Sequence, residues 1–227
     1  MRKGAGSGPR GAARGRLMAG LRAAHKAMTR KLLLDSALSL FRAKGYAATT
    51  IDDIAEAAGT TRATFYAYFP SRAELMKALI EELNALLERT YSPARGSTAP
   101  ALVAAVRTGA RDEIREWLRT RAAHWDIIMP YVTVAFEAAA VDPELRSLAD
   151  QWVDESVGDI AEGLDAAGRF EPAGRRLRGV LAMAQLDYVS KYWSDGRWGV
   201  DLETLIDLLA ESWHNILGAP GPDASPA

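Results

Sequence analysis

Between Thr50 and Phe69 the chain encodes two helices of only about two turns each, joined at a single glycine. Neither is long enough to hold its shape in water alone, so each must bury a face against a neighbour. Thr50 reads as the N-cap of the first, and Asp53 three residues on completes a capping box. Ile51, Ile54, Ala55 and Ala58 form its buried side, and Gly59 ends it. Thr61 caps the second, which carries Phe65 inward, and Pro70 closes it. So sharp a turn needs a residue without a Cβ, and Gly59 supplies it. Small Ala55 and Ala58 let the second helix come close. The spacing predicts a helix-turn-helix whose second helix offers its N-terminal residues to a DNA major groove.

The flanks supply what these short helices pack on. From Thr29, residues Leu33, Ala37, Leu40 and Phe41 fall at helical spacing, Leu34 and Leu38 widen the stripe, and Gly45 stops it. Ser71-Arg72-Ala73-Glu74 is a second capping box, opening a long fourth helix through Leu75, Leu79, Leu83 and Leu86 to about residue 90. Beyond Pro100 the spacing predicts helices over 100–122, 125–140, 143–167, 172–194 and 202–217, with Pro130 kinking the second of these. Sustained two-residue alternation is absent, so no sheet is expected. The expected class is all-α: an N-terminal three-helix DNA-binding domain at 23–75 and a C-terminal helical domain at 76–218. Residues 1–22, rich in Gly, Ala and Arg, and residues 219–227 are expected to be disordered tails.

Charge divides along the same line. Met1 to Lys77 holds 14 Lys/Arg against 5 Asp/Glu, whereas Ala78 onward holds 14 against 24. The first acidic residue, Asp35, follows nine basic ones. A basic head on an acidic body points to a polyanion as the partner of the head alone. A histone-like binder would be basic throughout, so the alternative of a helical nucleic-acid-binding protein without ligand regulation fits less well. The chain lacks cysteine, which excludes disulfides and thiolate metal sites. No apolar run approaches the ~18 residues of a membrane helix. Neither a signal peptide nor a membrane partner is expected, and the expected location is cytoplasmic.

The polar residues around the second short helix suit DNA. Thr60, Thr61, Arg62 and Thr64 can donate hydrogen bonds, and Arg62 can grip guanine O6 and N7 together. Tyr66 and Tyr68 offer phenol hydroxyls to phosphates, and Arg72 stands at a helix start where main-chain N–H groups favour an anion. With Thr49, Thr50 and Ala63 these make the candidate DNA-contacting set. The run Thr49 to Phe69, followed by Ser71-Arg72-Ala73-Glu74-Leu75 and preceded by Thr29-Arg30, Phe41 and Gly45-Tyr46, resembles the signature of the tetracycline-repressor (TetR) family. Thr60, Ala63 and Tyr68 depart from its usual residues, which bears on the operator sequence. The resemblance implies a dimeric repressor with a ligand cavity in the body and an interface made by the last two helices.

Catalysis finds no support. His25, His124 and His214 lie far apart without ligand spacing, and Asp52-Asp53 sit in a first helical turn where dipole and cap explain them. Gly6-Ser7-Gly8-Pro9-Arg10-Gly11 spells a dinucleotide fingerprint, but no strand precedes it and Pro9 interrupts it. No cofactor or metal is expected. The aromatic and Met residues of the body are mostly core. The resemblance implies that the 76–218 domain is a ligand-binding and dimerisation domain, and Trp125, Met129, Phe136 and Met183 are the candidates to line its cavity for a small, largely apolar effector, which His124 or Glu137 could orient. Leu202, Leu205, Ile206, Leu209, Trp213, Ile216 and Leu217, preceded by Leu177, Leu181, Ala184 and Tyr188, give the last two helices stripes wide enough for core and homodimer contact together.

Overall fold

A computed structural model describes residues 9–87, 99–193 and 196–218. These form ten α-helices, with no strand among the described residues. The chain divides into two compact units between Leu75 and Met76.

The first unit holds α1 (Pro9–Lys44), α2 (Ile51–Ala57), α3 (Arg62–Tyr68) and the start of α4 (Arg72–Leu86). Its core is built from the residues that the helical spacing singled out. Leu33, Leu34, Ala37 and Phe41 of α1 meet Ile54 and Ala55 of α2 and Phe65 of α3, all buried. The Phe41 and Tyr46 rings lie 5.1 Å apart, and those of Phe65 and Phe69 5.9 Å apart. Both capping threonines do the expected work. Thr50 Oγ1 accepts from the Asp53 N–H while the Asp53 carboxylate accepts from the Thr50 N–H, and Thr61 Oγ1 accepts from the Thr64 N–H. Gly59 takes a left-handed conformation with φ of 64°, the conformation that a tight joint asks of it.

One expectation fails at the N-terminus. Residues 9–22, expected to be disordered, continue α1 as helix. Their alanines, arginines and leucines are good helix formers, and a helix already nucleated by the buried turns at Leu33–Phe41 extends at little cost. Residues 1–8 and the C-terminal 219–227 lie outside the described residues, as does the expected end of the fourth helix near residue 90.

The second unit contains the rest of α4, then α5 (Pro100–Thr108), α6 (Arg111–Ala122), α7 (Trp125–Val141), α8 (Pro143–Ala166), α9 (Pro172–Trp193) and α10 (Leu202–Leu217). Helix α10 packs along α6, while α8 is flanked by α5, α7 and α9. The core joins Leu102, Val106, Ile114, Leu118, Ile160, Leu164, Ala182, Ile206, Leu209 and Trp213. Pro130 lies inside α7 without ending it, as expected. The expected single helix over 100–122 is instead two, broken at Gly109, whose φ is 66°. A distant side chain causes the break. Arg169 is buried, and its guanidinium donates to the carbonyls of Leu217, Val106 and Arg107. A Cβ at position 109 would overlap that guanidinium. His214 Nδ1 also lies 2.8 Å from the Gly109 carbonyl, tying the turn to α10.

Candidate functional site

The first unit presents α3 to solvent along one face. Only Phe65 of its seven residues is buried, so the helix is held by one anchor and two flanking turns. Thr61, Arg62, Ala63 and Tyr66 are exposed, with Thr60, Thr64 and Tyr68 half-buried. Thr61 and Thr64 share a hydroxyl–hydroxyl hydrogen bond of 3.0 Å beside the capping bond. Both hydroxyls keep lone pairs or rotor freedom for a second partner.

Arg62 is organised rather than loose. Its Nη2 donates to the Tyr66 hydroxyl at 3.3 Å, its Nη1 meets the Asp52 carboxylate of α2 at 2.8 Å, and its plane lies 5.6 Å from the Tyr66 ring centroid. The Tyr66 hydrogen bond first, then the Asp52 charge, hold its proton more firmly than in a free guanidinium. Both members of the Arg62–Asp52 pair are more than half exposed, and such pairs open at little cost. The fork is therefore held in one orientation by partners that can release it at little cost.

Two expected contact residues are turned inward instead. Thr49 is fully buried, and its hydroxyl donates to the Gly45 carbonyl at 2.8 Å. The guanidinium of Arg72 donates to the carbonyls of Tyr46, at 2.8 Å, and of Thr49, and lies 4.1 Å from the Tyr46 ring centroid. Those carbonyls belong to the connection between α1 and α2, so Arg72 staples it to the start of α4. Thr50 is exposed, but Asp53 engages both its hydroxyl and its N–H. The structure thus gathers Thr60, Thr61, Arg62, Ala63, Thr64 and Tyr66 on or beside the face of α3, with Tyr68 at its end.

The capping carboxylate carries a pH signature. A Lys44 hydrogen bond first, then the Thr50 hydroxyl and N–H, hold Asp53 well below the usual carboxylate range. Lys44 Nζ stands 2.7 Å from it. A depressed folded-state pKa adds stability that is present above the unfolded value and lost as pH falls. Melting of the first unit should therefore begin to move to lower temperature as pH drops through about 4. Asp53→Asn should flatten that dependence in circular dichroism melts; an unchanged acid limb would show that other carboxylates govern it.

The second unit encloses a separate cavity of about 120 Å³. Trp117 and Arg121 of α6, Trp125, Ile128, Met129 and Val132 of α7, Trp152 and Ser156 of α8, and Met183, Leu186, Asp187 and Ser190 of α9 line it. Three of the four expected residues, Trp125, Met129 and Met183, are brought together there. Phe136 is not. It is 40% exposed and lines a smaller hollow with Ile80, Leu83 and Leu148. Two turns along α7 from Met129, it keeps nearly the same face but stands about 10 Å further along the axis, beyond the end of the cavity. His124 and Glu137 are exposed and do not line the cavity. The lining residues missed in the sequence follow from its successes: Ile128 follows Trp125 and Val132 follows Met129 at helical spacing, as Leu186, Asp187 and Ser190 follow Met183. Trp152 Nε1 donates to Asn84 at 2.9 Å, whereas Trp117 Nε1 is buried and has no hydrogen-bond partner among the described residues. The Trp117 ring stacks on Trp213 at 5.6 Å.

The apolar stripes of the last two helices also divide. Leu205, Ile206, Leu209, Trp213 and Leu217 of α10 are buried within the chain. Leu177 (61%), Leu181 (49%) and Tyr188 (58%) of α9 and Leu208 (57%) of α10 stay exposed around a shared groove or beside it.

Residues 33–79 match the model of bacterial regulatory proteins of the tetR family. Over 56 residues the chain is 43% identical to the HTH-type transcriptional regulator TtgR of Pseudomonas putida, covering 25% of this chain and 27% of that protein. The chain thus spans about a quarter of that relative's length. Its fold is similar to the crystal structure of NalD, the secondary repressor of the MexAB-OprM multidrug efflux pump in Pseudomonas aeruginosa, with a TM-score of 0.62 at 19% identity, over 83% of this chain and 96% of that one. The structure of a SmeT–triclosan complex gives a TM-score of 0.62 at 18% identity, over 88% and 98%. The matched segment holds the buried C-terminal turns of α1, the whole of α2 and α3 and the start of α4, and over that segment the chain is similar to the tetR family of bacterial regulatory proteins.

Proposed function

We propose that the protein is a homodimeric, cytoplasmic transcriptional repressor, its 23–75 head gripping a double-stranded operator and its 76–218 body releasing it when a small, largely apolar effector binds. The observation that carries this reading is the exposed face of α3, where the caps fix Thr61 and Thr64 and Tyr66 aims Arg62. In this reading Arg62 reads a guanine, the threonines reach base edges or phosphates, and Tyr66 and Tyr68 hold the backbone. Two copies joined through the exposed α9 and α10 leucines and Tyr188 present two such helices to half-sites about one DNA turn apart.

The cavity favours ligand control over unregulated binding. At about 120 Å³ it is close to an engineered apolar cavity of about 150 Å³ that accepts benzene, so it takes one ring and must expand for more. Expansion is what a switch needs, because an effector shifts an equilibrium only through unequal affinity for the two states. Trp117, which lines the cavity, carries an indole Nε1 with no hydrogen-bond partner among the described residues. The efflux repressor and the triclosan complex of similar fold support the same reading.

Selection of random duplexes on the purified protein, followed by a compound screen for release, tests the proposal. Recovery of a paired half-site released by an apolar compound is expected; a monomer with no preference among duplexes at low salt overturns it. Arg62→Ala should weaken binding to the selected site by roughly ten- to a hundredfold and relax one base position, with a smaller effect on random DNA. Equal losses on both, in fluorescence anisotropy titrations, would make Arg62 a phosphate contact.

A further inference from the structure

The N-terminal part of α1 precedes the family-matched segment by more than five turns and has no role in the proposal above. Its described residues from Met18 to Met28 are all exposed, so they add nothing to the core. Arg22 and Lys26 stand one turn apart on one face. Together with Met18, Leu21 and His25 of α1 they line a surface hollow that is completed by Tyr68 at the end of α3. Among the described residues neither cation has an ion-pair partner, and the first acidic residue of the chain, Asp35, is engaged by Lys31 at 3.0 Å. The next basic residue on this face, Arg30, lies 5.4 Å from the Phe69 ring centroid.

Uncompensated cations packed beside one another raise the local positive potential, and no described residue of the first unit neutralises these two. We propose that the Arg22–Lys26 ridge is a second DNA-contacting element, which binds phosphates next to those held by Tyr68 and so extends the footprint beyond the bases that α3 reads. This rests on the proposed DNA-binding function and adds a sequence-independent part to it. The partner is nucleic-acid backbone rather than base edges, because two flexible side chains on a smooth helical face provide charge without a fixed donor pattern. Tyr68 in the same hollow joins the ridge to the end of α3.

Phosphate contacts are counted by salt dependence: each one adds about 0.9 to the slope of log affinity against log salt. The double variant Arg22→Ala, Lys26→Ala of the full chain should lose affinity by the same factor on the selected operator and on random duplex. Its slope should be shallower by about 2 per bound subunit. Both positions are exposed and alanine favours helix, so the melting temperature should stay where it is. Arg22→Lys, Lys26→Arg, which keeps both charges, should restore affinity and slope. An unchanged slope, or a loss confined to the operator, overturns the inference while leaving recognition by α3 intact. Failure of the unaltered protein to bind any duplex would instead remove the DNA-binding reading on which the inference depends.

Discussion

Phe65→Ala should release the recognition helix and abolish specific DNA binding. Helix α3 has seven residues, too few to persist alone, and Phe65 is its one buried side chain. The ring is fully enclosed, with Phe69 at 5.9 Å and the edge of Tyr66 at 5.7 Å. Truncating a buried Phe costs roughly 3–5 kcal/mol, about the whole stability of a unit this small. Hydrogen exchange should show protection lost first over Arg62–Phe69, then across α2, whose Ile54 shares the same core. Phe65→Leu, which keeps most of the volume, should recover much of the binding. Native protection at Arg62–Phe69 in the alanine variant would mean that the caps and turns hold α3 by themselves.

The second large effect is expected at Arg169. Its buried guanidinium satisfies three main-chain carbonyls, of Val106 and Arg107 at the end of α5 and of Leu217 at the end of α10. Helix C-termini leave such carbonyls without partners, and a buried unsatisfied one costs roughly 1–3 kcal/mol. Burying the charge itself is unfavourable: desolvation pulls the Arg169 pKa below its ordinary value, and that cost is recovered when the charge is removed. The net loss for Arg169→Met should still be about 3 kcal/mol, lowering the melting temperature of the second unit by roughly 6–12 °C. Gly109→Ala should be similarly damaging, because its methyl group overlaps the guanidinium and its φ is left-handed. If Arg169→Met melted within a degree or two of the unaltered protein, water would be serving those carbonyls.

Sequence alone determined the local architecture. Thr50, Thr61 and Asp53 in its capping role act on groups within about four residues of themselves, so their spacing is already their geometry. Phe65, Ile54 and Phe41 were legible as core because helical period tells which face is apolar. Tertiary structure decided what depends on groups far apart in the chain. Thr49 and Arg72 have the chemistry of phosphate ligands, yet the guanidinium of Arg72 is engaged by the Tyr46 and Thr49 carbonyls of the α1–α2 connection, and the fold closes over Thr49. The helix expected over 100–122 breaks at Gly109 because Arg169, 60 residues on, occupies the space where a side chain would stand. Phe136 shares a face of α7 with Met129 yet misses the cavity, because helical period fixes a direction and not where along the axis a void ends. A hydrogen bond between near neighbours is written in the order of residues, whereas competition for a buried carbonyl or a shared void is settled only when distant helices meet.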